Sequence, residues 1–351
     1  MKQRLFGDDV PNGLIKGCVM SGCWSLCIGA GTSIPVFPSW KELVTSIIKE
    51  ISPDAKQGTI AEILLSFDLD ALIQAACNIK GEKHFGDWLS EKLYANIKSK
   101  IAPNEWDAFR KIFTAPFANL YKEIDWKKFI EYREKILKKT TAYSLAKFIV
   151  ESQGTDFAPS SILSFNAEPL LYALINSFFR EESFGTKNKK YSPEIIELHT
   201  LSALSSNKNR IPYYFCHGAL LNWISIKDDF RYRADSNLVF SENQYLNLSN
   251  NVYSWQSTTF LHTCANSIII FIGVSLSDSN MRKWLNCVQV ERNKDIGKEV
   301  DSTRHFWITK TPRNKETMDW MEASVYHLGV RIIWITSWDQ TASVLKKILG
   351  F

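Results

Sequence analysis

Six short apolar runs, each five or six residues long, punctuate the 351-residue chain: Cys23–Ile28, Ser160–Phe165, Ile211–Cys216, Ser267–Ile272, His305–Thr309 and Arg331–Ile335. They are apolar continuously rather than at alternate positions, which is the pattern of strands covered on both faces. Between them lie stretches with helical periodicity, among them Trp40–Ile51, Pro169–Phe179, Trp255–Ala265 and Thr341–Leu349. Strands that alternate with helices predict an α/β fold: a doubly wound, mostly parallel sheet of about six strands with right-handed crossovers.

The first two runs are far apart. From Ile28 to Ser160 strand signal nearly vanishes, and amphipathic stretches follow one another at Leu69–Ile79, Phe85–Ile97, Glu105–Phe113 and Leu120–Leu137. This predicts an inserted helical subdomain and three segments: 1–40 with the first strand, 41–158 as the insertion, and 159–351 as the rest of the α/β core. The stretch Leu120–Leu137 reads as one helix with Leu120, Ile124, Phe129, Ile130, Ile136 and Leu137 on its apolar side. Its basic residues alternate with Glu123, Asp125, Glu131 and Glu134, which points to surface ion pairs rather than a nucleic-acid contact. Residues 184–209, with Lys187–Lys190 and Ser205–Asn209, read as a polar surface excursion.

Charge and cysteine usage narrow the class further. Against 37 acidic residues stand 42 lysines and arginines, a net charge of +5, far from the basic stripe of a dedicated nucleic-acid binder. The longest apolar run, Ser267–Leu276, is half of the about 20 residues a membrane span needs. None of the seven cysteines forms C-x-x-C, and Cys18, Cys23 and Cys27 match no zinc spacing. Asp8, Asp9 and Pro11 interrupt any signal-peptide order. The expectation is a cytoplasmic protein with reduced thiols, no bound metal and no membrane contact.

The strongest local signal is Leu26–Trp40, LCIGAGTSIPVFPSW, where a strand ends in Gly29-Ala30-Gly31-Thr32-Ser33 and a helix begins near its N-cap, Ser39. A Gly-rich strand-to-helix turn lets a ligand approach the backbone closely and presents N–H groups to a pyrophosphate. Other strand ends also carry polar groups and glycines: Ser164 to Glu168, Phe215 to Gly218 with His217, and Gly273 to Asp278. Open α/β sheets hold ligands there, so the fold class is Rossmann-like.

Taken together, Gly29-Ala30-Gly31-Thr32-Ser33, Asn166, His217-Gly218 and FIGVSLSDSN (Phe271–Asn280) resemble sirtuins in order and type. Pro35 with Trp40, NAEPLL, NLVFSENQYL and HLGVRIIW resemble more narrowly the bacterial sirtuin-like NAD hydrolases of antiphage defence. The likeness covers Trp24–Thr32 and Ile162–Ile348. It departs from deacylases in three places. The four zinc cysteines are missing, an Asp-Phe-Arg element is replaced by Val36-Phe37-Pro38, and Asn-Ile-Asp becomes Asn166-Ala167-Glu168.

The resemblance implies NAD as substrate, cleaved between nicotinamide and ribose. Asn166 would hold a ribose hydroxyl or the attacking water, and His217 would take a proton. Gly29, Ala30, Gly31 and Thr32 would cradle the pyrophosphate through backbone N–H groups, with Ser33, Pro35 and Gly273 beside them and Ser275 and Asp278 near the adenosine ribose. A deacylase and a non-catalytic NAD or ADP-ribose sensor are the alternatives. His199, His262, His305 and His327 read as structural. An NAD-depleting effector must be held off until needed. With only one helix after the last strand, activation is expected from a separate sensor protein or from oligomer assembly. Trp88, Trp106, Phe113, Phe117 and Trp126 of the insertion are its candidate docking anchors.

Overall fold

A computed structural model describes residues 24–81, 85–118, 124–185, 196–199, 210–220, 238–296 and 303–351. Outside them lie Asp8, Asp9, Pro11, Cys18, Cys23, Leu120, Glu123 and the polar tracts Lys187–Lys190 and Ser205–Asn209.

In chain order the elements are β1 (Trp24–Ile28), α1 (Trp40–Ile51), α2 (Gln57–Ser66), α3 (Leu69–Lys80), α4 (Phe85–Lys98), α5 (Trp106–Ala118), α6 (Trp126–Lys135) and α7 (Thr141–Ser152). Then come β2 (Ser161–Ser164), α8 (Leu170–Gly185), β3 (Ile196–His199), β4 (Ile211–Phe215), α9 (Glu242–Asn250) and α10 (Trp255–Asn266). Last are β5 (Ile268–Ile272), α11 (Ser279–Ile296), β6 (His305–Lys310), α12 (Lys315–Tyr326), β7 (Val330–Ile335) and α13 (Thr341–Leu349).

The sheet order is β3-β4-β2-β1-β5-β6-β7, and every pairing is parallel. Without β3 this is the Rossmann order 3-2-1-4-5-6, whose direction reverses beside β1. The six predicted runs are β1, β2, β4, β5, β6 and β7. The seventh strand, β3, is a correction: it lies inside the stretch read as a polar excursion. Paired only with β4 at the sheet edge, it alternates Ile196 and Leu198 with Glu197 and His199, so it leaves no continuous apolar run in the sequence.

Alternate strand residues feed two separate cores, which is what a doubly wound sheet requires. Leu26, Ile28, Ile268, Ile270 and Ile272 join one buried cluster with α1–α8 and α13. Cys27, Ile269, Phe271, Trp307 and Ile332 join the other, with residues of α9–α12. The buried residues of the inserted helices are continuous with the first cluster, so the insertion covers one face of the sheet.

Two features of the insertion differ from expectation. The stretch Leu120–Leu137 holds a helix of 10 residues, α6, because Asp125 accepts a hydrogen bond from the Lys128 amide at 3.1 Å and caps it at Trp126. On that helix Arg133 is buried rather than solvated: it donates to Ser177 Oγ and Glu181, and stacks over Phe178. Of the candidate anchors, Trp106 and Phe113 are buried in the helical layer. Trp88 donates to Glu50, and Trp126 lies under the Arg180 guanidinium. The side chain of Phe117 lies outside the described residues. No helix among the described residues is long and apolar enough to cross a membrane.

Candidate functional site

The turn after β1 is built by strand pairing. β1 and β5 run in register from Trp24↔Ile268 to Ile28↔Ile272, and the pairing continues past the strands. The Gly29 amide donates to Ile272 O at 3.1 Å and the Gly31 amide to Gly273 O at 3.0 Å. A Cβ on Gly29 would lie 2.6 Å from Gly273 O, and one on Gly273, at φ +68°, 2.5 Å from the Thr32 nitrogen. These glycines are therefore demanded by the contact of two backbones. Ala30–Thr32 form a 3₁₀ turn, in which the amides of Thr32 and Ser33 donate to Gly29 O and Ala30 O. Of the amides expected to cradle a pyrophosphate, those of Gly29, Gly31 and Thr32 thus already hold carbonyls within the protein.

Downstream, Pro35 is exposed, and its carbonyl accepts from Asn96 Nδ2 at 2.9 Å, which ties the loop to α4. Ser39 caps α1 as predicted, accepting from the Glu42 amide while its own amide donates to the Glu42 carboxylate.

β2 delivers Asn166, 1% exposed, to the floor beneath this turn. Its Nδ2 donates to Glu168 Oε1 at 2.9 Å and lies 3.2 Å from Thr32 Oγ1, while its Oδ1 is buried with no hydrogen-bond partner in the protein. Glu168 also accepts from the Ser33 hydroxyl and the Leu170 amide. Burial pushes its carboxyl up to about 7, opposed by those three hydrogen bonds.

His217 ends the neighbouring strand β4 and is 5% exposed. Its ring stands edge-on between Phe165, the residue before Asn166, and Tyr245 of α9. Nδ1 lies 3.5 Å from the Tyr245 hydroxyl, and Nε2 faces Asp278 Oδ2 at 3.7 Å with no hydrogen-bond partner. Burial lowers the imidazole below its usual value, against the pull of Asp278, so the ring is neutral at pH 7.

Asp278, expected near the adenosine ribose, joins the start of a helix to His217. Its Oδ1 caps α11 by accepting from the Met281 amide at 2.8 Å, and its Oδ2 turns toward His217. Between Gly273 and Asp278 the backbone passes through Leu276 at φ +53°, a left-handed conformation held by burial of the side chain. Ser275 is exposed, with its hydroxyl 2.6 Å from that of Ser277. His305 accepts from the Ile269 amide and is held neutral by burial at about 3, a structural role as expected.

Sequence reasoning missed two members of the site. In the sequence Tyr245 falls within the segment NLVFSENQYL, and Glu168 stands at a polar strand end and in the departure from Asn-Ile-Asp, neither with a role of its own. The spacing N-x-E at a strand end could have flagged Glu168; nothing local marks Tyr245. Among the described residues, no group of three or more His, Cys, Asp or Glu is placed to hold a metal ion. Cys27, Cys77, Cys216 and Cys264 are buried thiols outside any disulfide, and Cys287 is an exposed one.

The sheet order and the polar residues gathered at its carboxyl edge define a Rossmann-like α/β protein with its site at the reversal of strand order. Residues 176–328 match the family model of the SIR2-like domain, which supports a sirtuin-like family for the chain. The match includes His217 and the Gly273–Asp278 loop, and Gly29–Ser33 and Asn166 precede it. No curated protein matches the chain. A SIR2-like domain is consistent with an NAD-utilising enzyme and suggests NAD-related activity.

Proposed function

We propose that the protein is an NAD glycohydrolase that releases nicotinamide and ADP-ribose. We propose further that it serves as the NAD-depleting effector of a bacterial antiphage, abortive-infection system, activated by a separate partner or by assembly. One observation carries the catalytic reading. Asn166 Oδ1 and His217 Nε2 are buried polar atoms without protein partners at the ends of adjacent strands, and buried polar groups call for a hydrogen-bonding ligand.

The reaction breaks the C1′–N bond of NAD, and its electron pair leaves with nicotinamide. This neutralises the pyridinium, so the leaving group needs no proton. The transition state is oxocarbenium-like. Water's oxygen bonds to C1′, and one water proton is lost. A neutral His217 is in the right state to receive that proton and pass it to solvent. Asn166 orients the water or a ribose hydroxyl. Phe165 and Tyr245 fix the imidazole plane and cover it from bulk water.

The test is to incubate the purified chain with NAD, alone and with the product of its neighbouring gene, and to follow NAD and nicotinamide by chromatography. Nicotinamide and ADP-ribose in equal amounts are expected. NAD that persists under all activating conditions overturns the reading. O-acetyl-ADP-ribose from an acetylated peptide would assign a deacylase instead, and tight NAD binding without nicotinamide release a sensor.

A further inference from the structure

Glu168 takes no part in the steps above, yet it is among the most thoroughly buried charged side chains of the site, 3% exposed. Its two oxygens receive three donors. Oε1 accepts from the Ser33 hydroxyl at 2.5 Å and from Asn166 Nδ2 at 2.9 Å, and Oε2 accepts from the Leu170 amide at 2.5 Å. The same Asn166 nitrogen lies 3.2 Å from Thr32 Oγ1 and 3.4 Å from Ser33 Oγ. An amide NH₂ has two hydrogens and no acceptor capacity, whereas an amide oxygen has only lone pairs. With a carboxylate and two hydroxyls around one end of the Asn166 amide, the end facing them is the nitrogen. Rotation by half a turn would bring Oδ1 against Glu168 Oε1, oxygen against oxygen. The other end, Oδ1, is buried and has no partner.

We infer that Glu168 is a positioning residue that locks the Asn166 amide, so that the site offers the substrate a hydrogen-bond acceptor and never a donor at this point. On the NAD-hydrolase reading, which this step deepens, the group it selects is an O–H: the attacking water or a ribose hydroxyl. Ionised Glu168 is the form that locks best, since it accepts all three donors, whereas the protonated acid carries a hydrogen of its own among them. The titratable neighbours that sense its charge are Tyr94 from α4 and Tyr213 from β4. Both phenols are raised by burial and stay neutral, so they do not compete for the proton near neutrality.

The experiment uses the full chain labelled with ¹⁵N-asparagine, in which the Asn166 side-chain amide is identified by its loss in Asn166→Ala. In the wild type this amide should exchange with deuterium slowly and its resonances should move with a midpoint near 7. Glu168→Met has similar volume and no carboxylate. It should lose the protection and lower NAD turnover by about tenfold to a hundredfold, the scale of a mispositioned reacting group, with KM for NAD nearly unchanged. Glu168→Gln, which restores one acceptor, should recover part of the turnover and lose the pH dependence near 7. Retained protection and turnover in Glu168→Met overturn the inference. If that variant does not fold, a wild-type Asn166 side-chain amide that exchanges with deuterium as fast as those of exposed asparagines overturns it as well. Wild-type protein that hydrolyses no NAD defeats the functional reading, while the locked amide is still decided by exchange.

Discussion

His217 Nε2 and Asp278 Oδ2 face each other at 3.7 Å, although 61 positions separate the two residues in the chain. The pairing turns Asp278 into a helix cap with a second duty. Its Oδ1 holds the start of α11, and Oδ2 supplies the charge that opposes the effect of burial on the imidazole. Asp278→Asn separates the two. Asparagine caps a helix as well as aspartate, so stability should change by only a few tenths of a kcal/mol. Removing the charge lets burial act unopposed and lowers the His217 pKa further. The acid limb of the activity profile that belongs to His217 should move to lower pH, read from initial NAD hydrolysis rates across a pH series. An unmoved limb would separate Asp278 from the base.

Asn166→Ala and His217→Ala should each lower NAD turnover by on the order of 10²-fold or more, as loss of a positioned acid–base or orienting group does. Circular dichroism should show the fold intact, since Asn166→Ala leaves Glu168 two of its three donors and His217 Nε2 makes no hydrogen bond within the protein. Turnover that survives either change would move the chemistry elsewhere on the sheet edge.

Gly273→Ala should destabilise the protein by about 1–3 kcal/mol through strain at positive φ alone. More is expected from the Cβ, which would meet the Thr32 nitrogen at 2.5 Å. Gly58→Ala in α2 is the matched control: nothing lies within 4 Å of its added Cβ, and helix propensity favours alanine by up to about 1 kcal/mol. Thermal denaturation of the two variants should give shifts of opposite sign.

Glu168 makes stability depend on pH in a direction opposite to that of a salt-bridged carboxylate. Its native pKa is raised from 4.5 to about 7, so the folded state holds this proton more tightly than the unfolded chain. The contribution to stability is complete below about 4.5 and is lost as the pH rises through about 7, a change on the order of 3 kcal/mol. Urea denaturation at a series of pH values should show this decline in the wild type and not in Glu168→Gln. The ionised form that best locks Asn166 is therefore the less stable one, a site whose activity works against fold stability.

Much of the frame was legible because its causes are local. Runs such as Ser267–Ile272 are continuously apolar since both faces of a parallel sheet are covered, and that pattern needs no knowledge of neighbours. Ser39 with Glu42 forms a capping box within one turn, and α1 and α13 begin and end where their periodicity does. Asn166 and His217 stood out as polar residues at the ends of apolar runs, and strand ends are where such a sheet places its chemistry.

The sequence by itself determined six of the strands, most helices and the two polar residues at adjacent strand ends, because each leaves a pattern within a few positions of the chain. Tertiary structure decided the rest. β3 exists because β4 offers it an edge, and the Gly29 and Gly31 amides are engaged because the paired strand β5 and its end present the Ile272 and Gly273 carbonyls. The Glu168 carboxyl titrates near neutrality because the packed strand ends around it remove water, against the pull of the Ser33 hydroxyl from 135 positions earlier in the chain. Desolvation and long-range pairing depend on what surrounds a group in space, and a linear pattern carries no record of that.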